Sequence, residues 1–284
     1  MSPNDPAPEL ADDVCALPLA RRLAAMLDRD PSVLRNGDPL PRGWHAMLFN
    51  APTTQSRLRH DGAAGLGVTL PELGLPRLML GGRQNRFNGD IAIGAQVRRE
   101  SRQLGVQVKE GRSGRFALVK VEHRIFVADA ADPAVVEVQD YVLRAASPAA
   151  QSSAPQNSAS TAAAAPAADA VEPDIKSTIV PDEPMLFRYS AITDNPHRIH
   201  YDQPYATSAE GYPALVVNGS IPAMFLLELF RSHAGREPAG FTSRNLAPMF
   251  CGRPLHLNVL NEGASWRLWA QDEQGNTTFD ARAE

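Results

Sequence analysis

The sequence predicts an α+β chain of two units, each an antiparallel sheet wrapped around a central helix. Three observations lead there. Apolar and polar residues alternate with period two over several runs, the mark of half-buried strands. One helical segment, Ser220–Ser232, is apolar almost all round and calls for burial inside a wrapping sheet. And Ala, Ser and Pro dominate Ala145–Ala170, where Asp169 is the only charge. That stretch offers no apolar face to offset its ordering entropy, so 145–180 reads as a flexible linker between units 1–144 and 181–284.

Along the first unit, Leu17–Leu27 sets Leu19, Leu23, Met26 and Leu27 on one helical face. Leu40–Asn50 is a mixed apolar segment, and Pro52–Gly74 reads as loop from its Gly and Pro content. Arg86–Val97 begins with Asn-Gly and then alternates. Arg98–Lys109 and Arg115–Val127 flank a Gly-containing polar loop and form a long hairpin; Val135–Arg144 is a further strand.

In the second unit Met185–Ile192 alternates like a strand. Ser220 can cap the buried helix, Pro222 suits its first turn, and Gly235 can end it. Phe241–Leu246, Leu255–Val259, Ala264–Ala270 and Thr277–Ala281 complete a second sheet. A helix held by a curved antiparallel sheet is the hotdog arrangement. Two such units make a double hotdog, which is expected to place an active site between them.

Composition removes several function classes. The 284 residues carry 28 Lys+Arg against 32 Asp+Glu, a net charge of −4, which argues against bulk binding of polyanions. Hydrophobic residues make up 43%, enough for packed cores. The two cysteines, Cys15 and Cys251, are too few for a disulfide framework or a Cys-rich metal site. No apolar run reaches membrane-spanning length, and MSPNDPAPEL lacks the features of a secretory leader. A cytoplasmic protein is expected, with no metal and no cofactor; self-association, if any, is expected as a homodimer.

The densest chemistry lies in Thr193–Asp202, with two His, two Asp, an Asn and an Arg in ten residues. Asp-Asn-Pro favours turns by itself, so a surface loop is the plain alternative. His197 and His200 stand at metal-ligand spacing, but no third-ligand motif accompanies them. Elsewhere, His123 reads as an ordinary strand histidine and His45 as a packing residue.

Taken together with the next twenty residues, the segment gains meaning. His200-Tyr201-Asp202 precedes Tyr205-Ala206, Gly211-Tyr212-Pro213 and Val216-Val217-Asn218-Gly219, which open the buried helix. This series resembles the MaoC-like, or hydratase-2, branch of the hotdog thioester hydratases and dehydratases. It is similar above all to mesaconyl-C4-CoA and itaconyl-CoA hydratases and to the 3-hydroxyacyl-thioester dehydratase 2 group. Phe187–Ala191, Gly81-Gly82-Arg83, Arg86-Phe87, Val108–Gly114 and Val121-Glu122-His123 extend the likeness across both units.

The resemblance implies reversible addition of water to an α,β-unsaturated CoA thioester. His200 would transfer the proton, its ordinary pKa lying near working pH. Asn195, where the hydratase-2 signature has Asp, would orient the water, with Asp194 as the rival partner. Gly219 would present a backbone N–H to the thioester oxygen at the positive end of the helix. Asn218 stands where relatives commonly show His and would bond substrate, as would Tyr189 and Arg198. Arg83, Arg86 and Arg112 would meet CoA phosphates or a substrate carboxylate, unless they belong to a solvated sheet face. A non-catalytic acyl-thioester binder and a hotdog thioesterase are the competing expectations.

Overall fold

The computed structural model describes residues 7–50, 53–63, 68–70, 72–111, 114–145 and 172–284. Contacts divide the chain at Ala146/Ser147 into two compact units, with Ala191–Pro196 belonging to the first.

The first unit carries strands β1 (Glu9–Val14), β2 (Arg77–Phe87), β3 (Gln96–Gly111), β4 (Gly114–Val127) and β5 (Val135–Arg144), with helix α1 (Leu17–Met26) after β1. The strands lie in the order β1-β3-β4-β5-β2, and every pairing is antiparallel. The second unit carries β6 (Ile175–Ile179), helices α2 (Glu183–Ile192) and α3 (Ile221–Ala234), and β7 (Gly240–Asn245), β8 (Leu255–Asn261), β9 (Trp266–Gln271) and β10 (Thr277–Ala283). Its order is β6-β8-β9-β10-β7, again antiparallel.

The two units therefore repeat one topology: an edge strand, a long helix, then four strands whose last three lie between the first two. Each copy departs from the repeat once. In the first, residues 27–76 intervene between helix and second strand. In the second, residues 180–220 intervene between edge strand and helix.

Local chemistry accounts for the elements. In α1, Ala20, Leu23, Ala24 and Met26 are buried, a 3-to-4 spacing on one face. α3 buries Ile221, Pro222, Met224, Leu226, Leu227 and Phe230 and packs on β8 and β9. Phe230 meets the Trp266 ring edge-on, centroids 5.6 Å apart, a geometry worth about 1 kcal/mol beyond burial. Gly235 ends the helix at φ +64°, a left-handed conformation that glycine adopts without strain. In β5, Val135, Glu137, Gln139, Tyr141 and Leu143 all face inward, so two polar side chains share the buried face with three apolar ones.

Several expectations need correction. Met185–Ile192 is helical, within α2. Asp182 accepts the Met185 N–H at 2.9 Å, Pro184 fits the first turn, and Leu186, Tyr189 and Ile192 are buried at helical spacing. Ser220 precedes α3 but makes no side-chain cap. After Asn88-Gly89 the chain does not run straight into a strand. Gly94, at φ +92°, donates to the Cys15 carbonyl at 2.7 Å, and β3 begins only at Gln96.

Most of the expected linker, 146–171, lies outside the described residues. Its final part is not linker: Ile175–Ile179 is the edge strand β6, paired with β8 from Ile175↔Val259 to Ile179↔Leu255. β1 is likewise an edge strand, with three acids among six residues. Asp12 lies opposite Arg98 on β3, an opposite-charge pair that supports the register. Cys15 is fully buried and Cys251 half-buried, and neither is in a disulfide.

Candidate active site

His200 closes a short 3-10 turn, Arg198–His200, inside the 180–220 segment, and is 6% exposed. Backbone bonds fix what it touches. Val216 N donates to Ile199 O at 2.9 Å, Val217 N to Met249 O at 2.8 Å, and Cys251 N to Leu215 O at 2.9 Å. The Leu215–Val217 strip is thus clamped between the histidine turn and the 249–251 segment. That holds the Val216 carbonyl 2.7 Å from His200 Nδ1.

A carbonyl oxygen only accepts, so Nδ1 carries the hydrogen and Nε2 is left with its lone pair. Burial lowers the His200 pKa to about 4; the Val216 bond opposes that shift and His197 adds to it. The His197 ring stands edge-on to His200, centroids 5.6 Å apart. His200 is therefore a neutral imidazole at physiological pH, with a fixed tautomer.

The same strip leads into α3 through Asn218, Gly219 and Ser220. Asn218 and Ser220 are 7% exposed. A Cβ on Gly219 would stand 2.8 Å from Asn245 Oδ1, so the Asn245 side chain would have to move to admit one. With no serine cap, the first N–H groups of α3 are not covered by the Ser220 side chain. The segment joins a buried neutral imidazole to a helix start, whose dipole favours negative charge.

Arg198 is committed locally. Its Nε and Nη2 donate to Asp202 Oδ2 at 2.9 and 2.7 Å, and its guanidinium lies 4.1 Å from the Tyr205 ring centroid. Asp202 also accepts the Tyr205 N–H. This cluster braces the loop after His200. Tyr189 is 3% exposed on α2. Asp194 is exposed at φ 42° and Asn195 half-buried, both in the stretch belonging to the first unit.

The arginines expected to act together do not share a face. Arg83 turns inward on β2, where its Nε lies 3.4 Å from Glu137 Oε1, whereas Arg86 is exposed on the other face. Arg112 lies outside the described residues.

Sequence reasoning missed a buried polar row in the first unit. His45 donates to Glu137 Oε2 at 2.8 Å, and both side chains are 5% exposed. Gln139 donates to Glu137 and accepts from Tyr141. His123 Nε2 donates to Gln139 Oε1 at 3.3 Å, and Ser101 donates to His123 Nδ1 at 2.9 Å. Burial raises the Glu137 carboxyl, but Arg83 and then the His45 hydrogen bond outweigh it, holding it well below the usual carboxylate range. Burial lowers His123 to about 4. Period two in β5 was the available signal, since it sets Glu137 and Gln139 on the face of Val135 and Tyr141.

Comparison with known proteins decides the family. The family model for hydroxyacyl-thioester dehydratase type 2 matches residues 43–251. The chain belongs to that family. A mesaconyl-C(4)-CoA hydratase of Chloroflexus aurantiacus is 37% identical over 276 residues, covering 97% of this chain and 94% of the relative. A mitochondrial hydroxyacyl-thioester dehydratase type 2 of Schizosaccharomyces pombe is 39% identical over 85 residues, 29% of this chain and 28% of its own.

Among solved structures, a MaoC-like dehydratase of Phytophthora capsici superimposes with a TM-score of 0.69 at 13% identity, over 99% of this chain and 95% of that one. A Mycobacterium tuberculosis protein described as a double hotdog gives 0.63 at 14%, over 98% and 95%. At such identities these establish the fold, a double hotdog of α+β class. This hydroxyacyl-thioester dehydratase type 2 family member is thus a hydro-lyase, a hydratase/dehydratase of acyl thioesters. None of the helices among its described residues is long and apolar enough to cross a membrane.

Proposed function

We propose that the chain hydrates a CoA thioester of a short branched dicarboxylic acid, with mesaconyl-C4-CoA as the first substrate to test. The observation that carries the reading is the tautomer of His200. With Nδ1–H engaged by Val216 O, Nε2 takes a proton from water as the oxygen attacks the β-carbon. The C=C electrons move toward the thioester, and the enolate oxygen is received by the Gly219 N–H at the start of α3. The proton held at Nε2 then passes to the α-carbon, leaving the β-hydroxyacyl thioester and a neutral imidazole.

Asn195 orients the water, with Asp194 as the alternative partner, and Asn218 and Tyr189 contribute to substrate binding. The acyl group is that of the 37% identical mesaconyl-C(4)-CoA hydratase, which this chain matches over nearly its whole length; itaconyl-CoA is the second candidate. The cysteine usage fits a reducing, cytoplasmic setting. A homodimer is the assembly to look for.

Purified protein is expected to convert mesaconyl-C4-CoA to a product heavier by one water, with no free thiol released. His200→Ala should lower kcat/KM at least about a hundredfold, the usual scale for losing a proton-transfer group. Release of free CoA, or an unchanged rate in His200→Ala, would overturn the proposal.

A further inference from the structure

Arg99 on β3 shares the inward face with Val97 and Ser101. Among the described residues its guanidinium makes no hydrogen bond and no ion pair, and its Nε is buried without an acceptor. It lies over Phe49, whose ring centroid is 5.0 Å from the guanidinium carbon. Stacking on a ring face leaves the planar N–H edge open to an acceptor.

Phe49 itself is held in an unusual state. It adopts φ 61°, a left-handed conformation that costs a bulky residue free energy, while being 7% exposed. Its N–H is tied to Asp13 Oδ2 at 2.6 Å. Backbone strain of this kind persists where surrounding bonds over-determine it, and it clusters at functional sites.

Charge adds a third observation. Arg99 lies within electrostatic reach of Glu137 and Tyr141. Along the row, Arg83 and Arg99 bring two positive charges against one negative charge on Glu137, and Glu137 is already engaged by His45, Gln139 and Arg83. The other acids that act on Arg99, Glu9 and Asp13, are occupied on the outer strand β1, by Thr69 and by Phe49. A half-buried guanidinium with no anion in direct hydrogen-bonded contact is costly, and one carboxylate on its open edge would balance the row.

We propose that the first unit holds a binding site for a small organic carboxylate, formed by the N–H edge of Arg99 stacked on Phe49. The anion is that of a free diacid.

Calorimetry on the full-length protein, with free mesaconate as the probe, tests the site. Arg99→Met is expected to weaken mesaconate binding at least tenfold. Arg99→Lys, which keeps the charge and loses the fork, should fall between and serves if the methionine variant does not fold. No mesaconate binding by the wild-type protein, or binding unchanged in these variants, shows that there is no such site.

Discussion

The His200 imidazole is held 2.7 Å from the Val216 carbonyl through Nδ1, in a strip clamped by backbone hydrogen bonds on both sides. That single bond selects the tautomer and aims Nε2, while burial keeps the ring uncharged.

The role proposed for His200 predicts a pH dependence of turnover. Burial lowers His200 to about 4, so Nε2 stays an acceptor well below the ordinary imidazole range. The acid limb of kcat/KM is expected near pH 4 rather than near 6.5, with about a tenfold loss per pH unit below it. A rate profile between pH 3.5 and 8 checks this, and a limb centred at 6.5 would show that His200 is not the group titrating.

Gly219 predicts a local steric effect. A methyl group there meets Asn245 Oδ1 at 2.8 Å, so either the Asn245 side chain or the start of α3 must shift. Gly219→Ala should lower kcat by about ten- to a hundredfold while the protein stays folded, because misplaced donors cost transition-state stabilisation. Adding Asn245→Ala removes the obstruction and should recover part of the loss. A double-mutant cycle with no coupling between the two positions would rule out the clash as the cause.

The buried groups predict instability in acid. His200 and His123 have native pKa values of about 4, below the unfolded value of about 6.5. As pH falls through 6.5 the unfolded chain binds protons that the native one refuses, so stability present above 6.5 is lost progressively toward pH 4. Each histidine contributes up to roughly 3 kcal/mol to that loss. Below the ordinary glutamate range Glu137, held low, continues the decline. Urea midpoints at pH 7.5 and 4.5 measure the first part. Glu137→Ala at neutral pH should cost about 3–5 kcal/mol, since it strands Arg83 and His45 in a buried face.

The sequence disclosed the repeat's strong parts and hid its edges. The β3–β4 hairpin and α3 announce themselves because long periodic runs with glycine punctuation admit few other structures. β1 and β6 do not, being five or six residues long and rich in charge or hydroxyls. Only pairing with β3 and β8 makes them strands. α2 misled because Phe187, Tyr189 and Ala191 alternate with Arg188 and Ser190 over a span too short to distinguish period two from 3.6. In the second unit, His200 and Gly219 could be read from local order in the chain. In the first unit, period two in β5 could have shown Glu137 facing inward, but Arg99, Phe49 and His45 could not be grouped with it, since they come from separate segments that only folding brings together.

The thiols offer a practical consequence. Burial raises both Cys15 and Cys251 to about 11, with Glu183 and Asp182 adding to the effect at Cys251. At neutral pH only about one molecule in ten thousand carries either as thiolate, the form that reacts with maleimides and iodoacetamides. A cysteine introduced at an exposed position would outpace both by orders of magnitude. The natural chain is thus a ready background for attaching a fluorophore beside His200 or Arg99, without first removing its own sulfur.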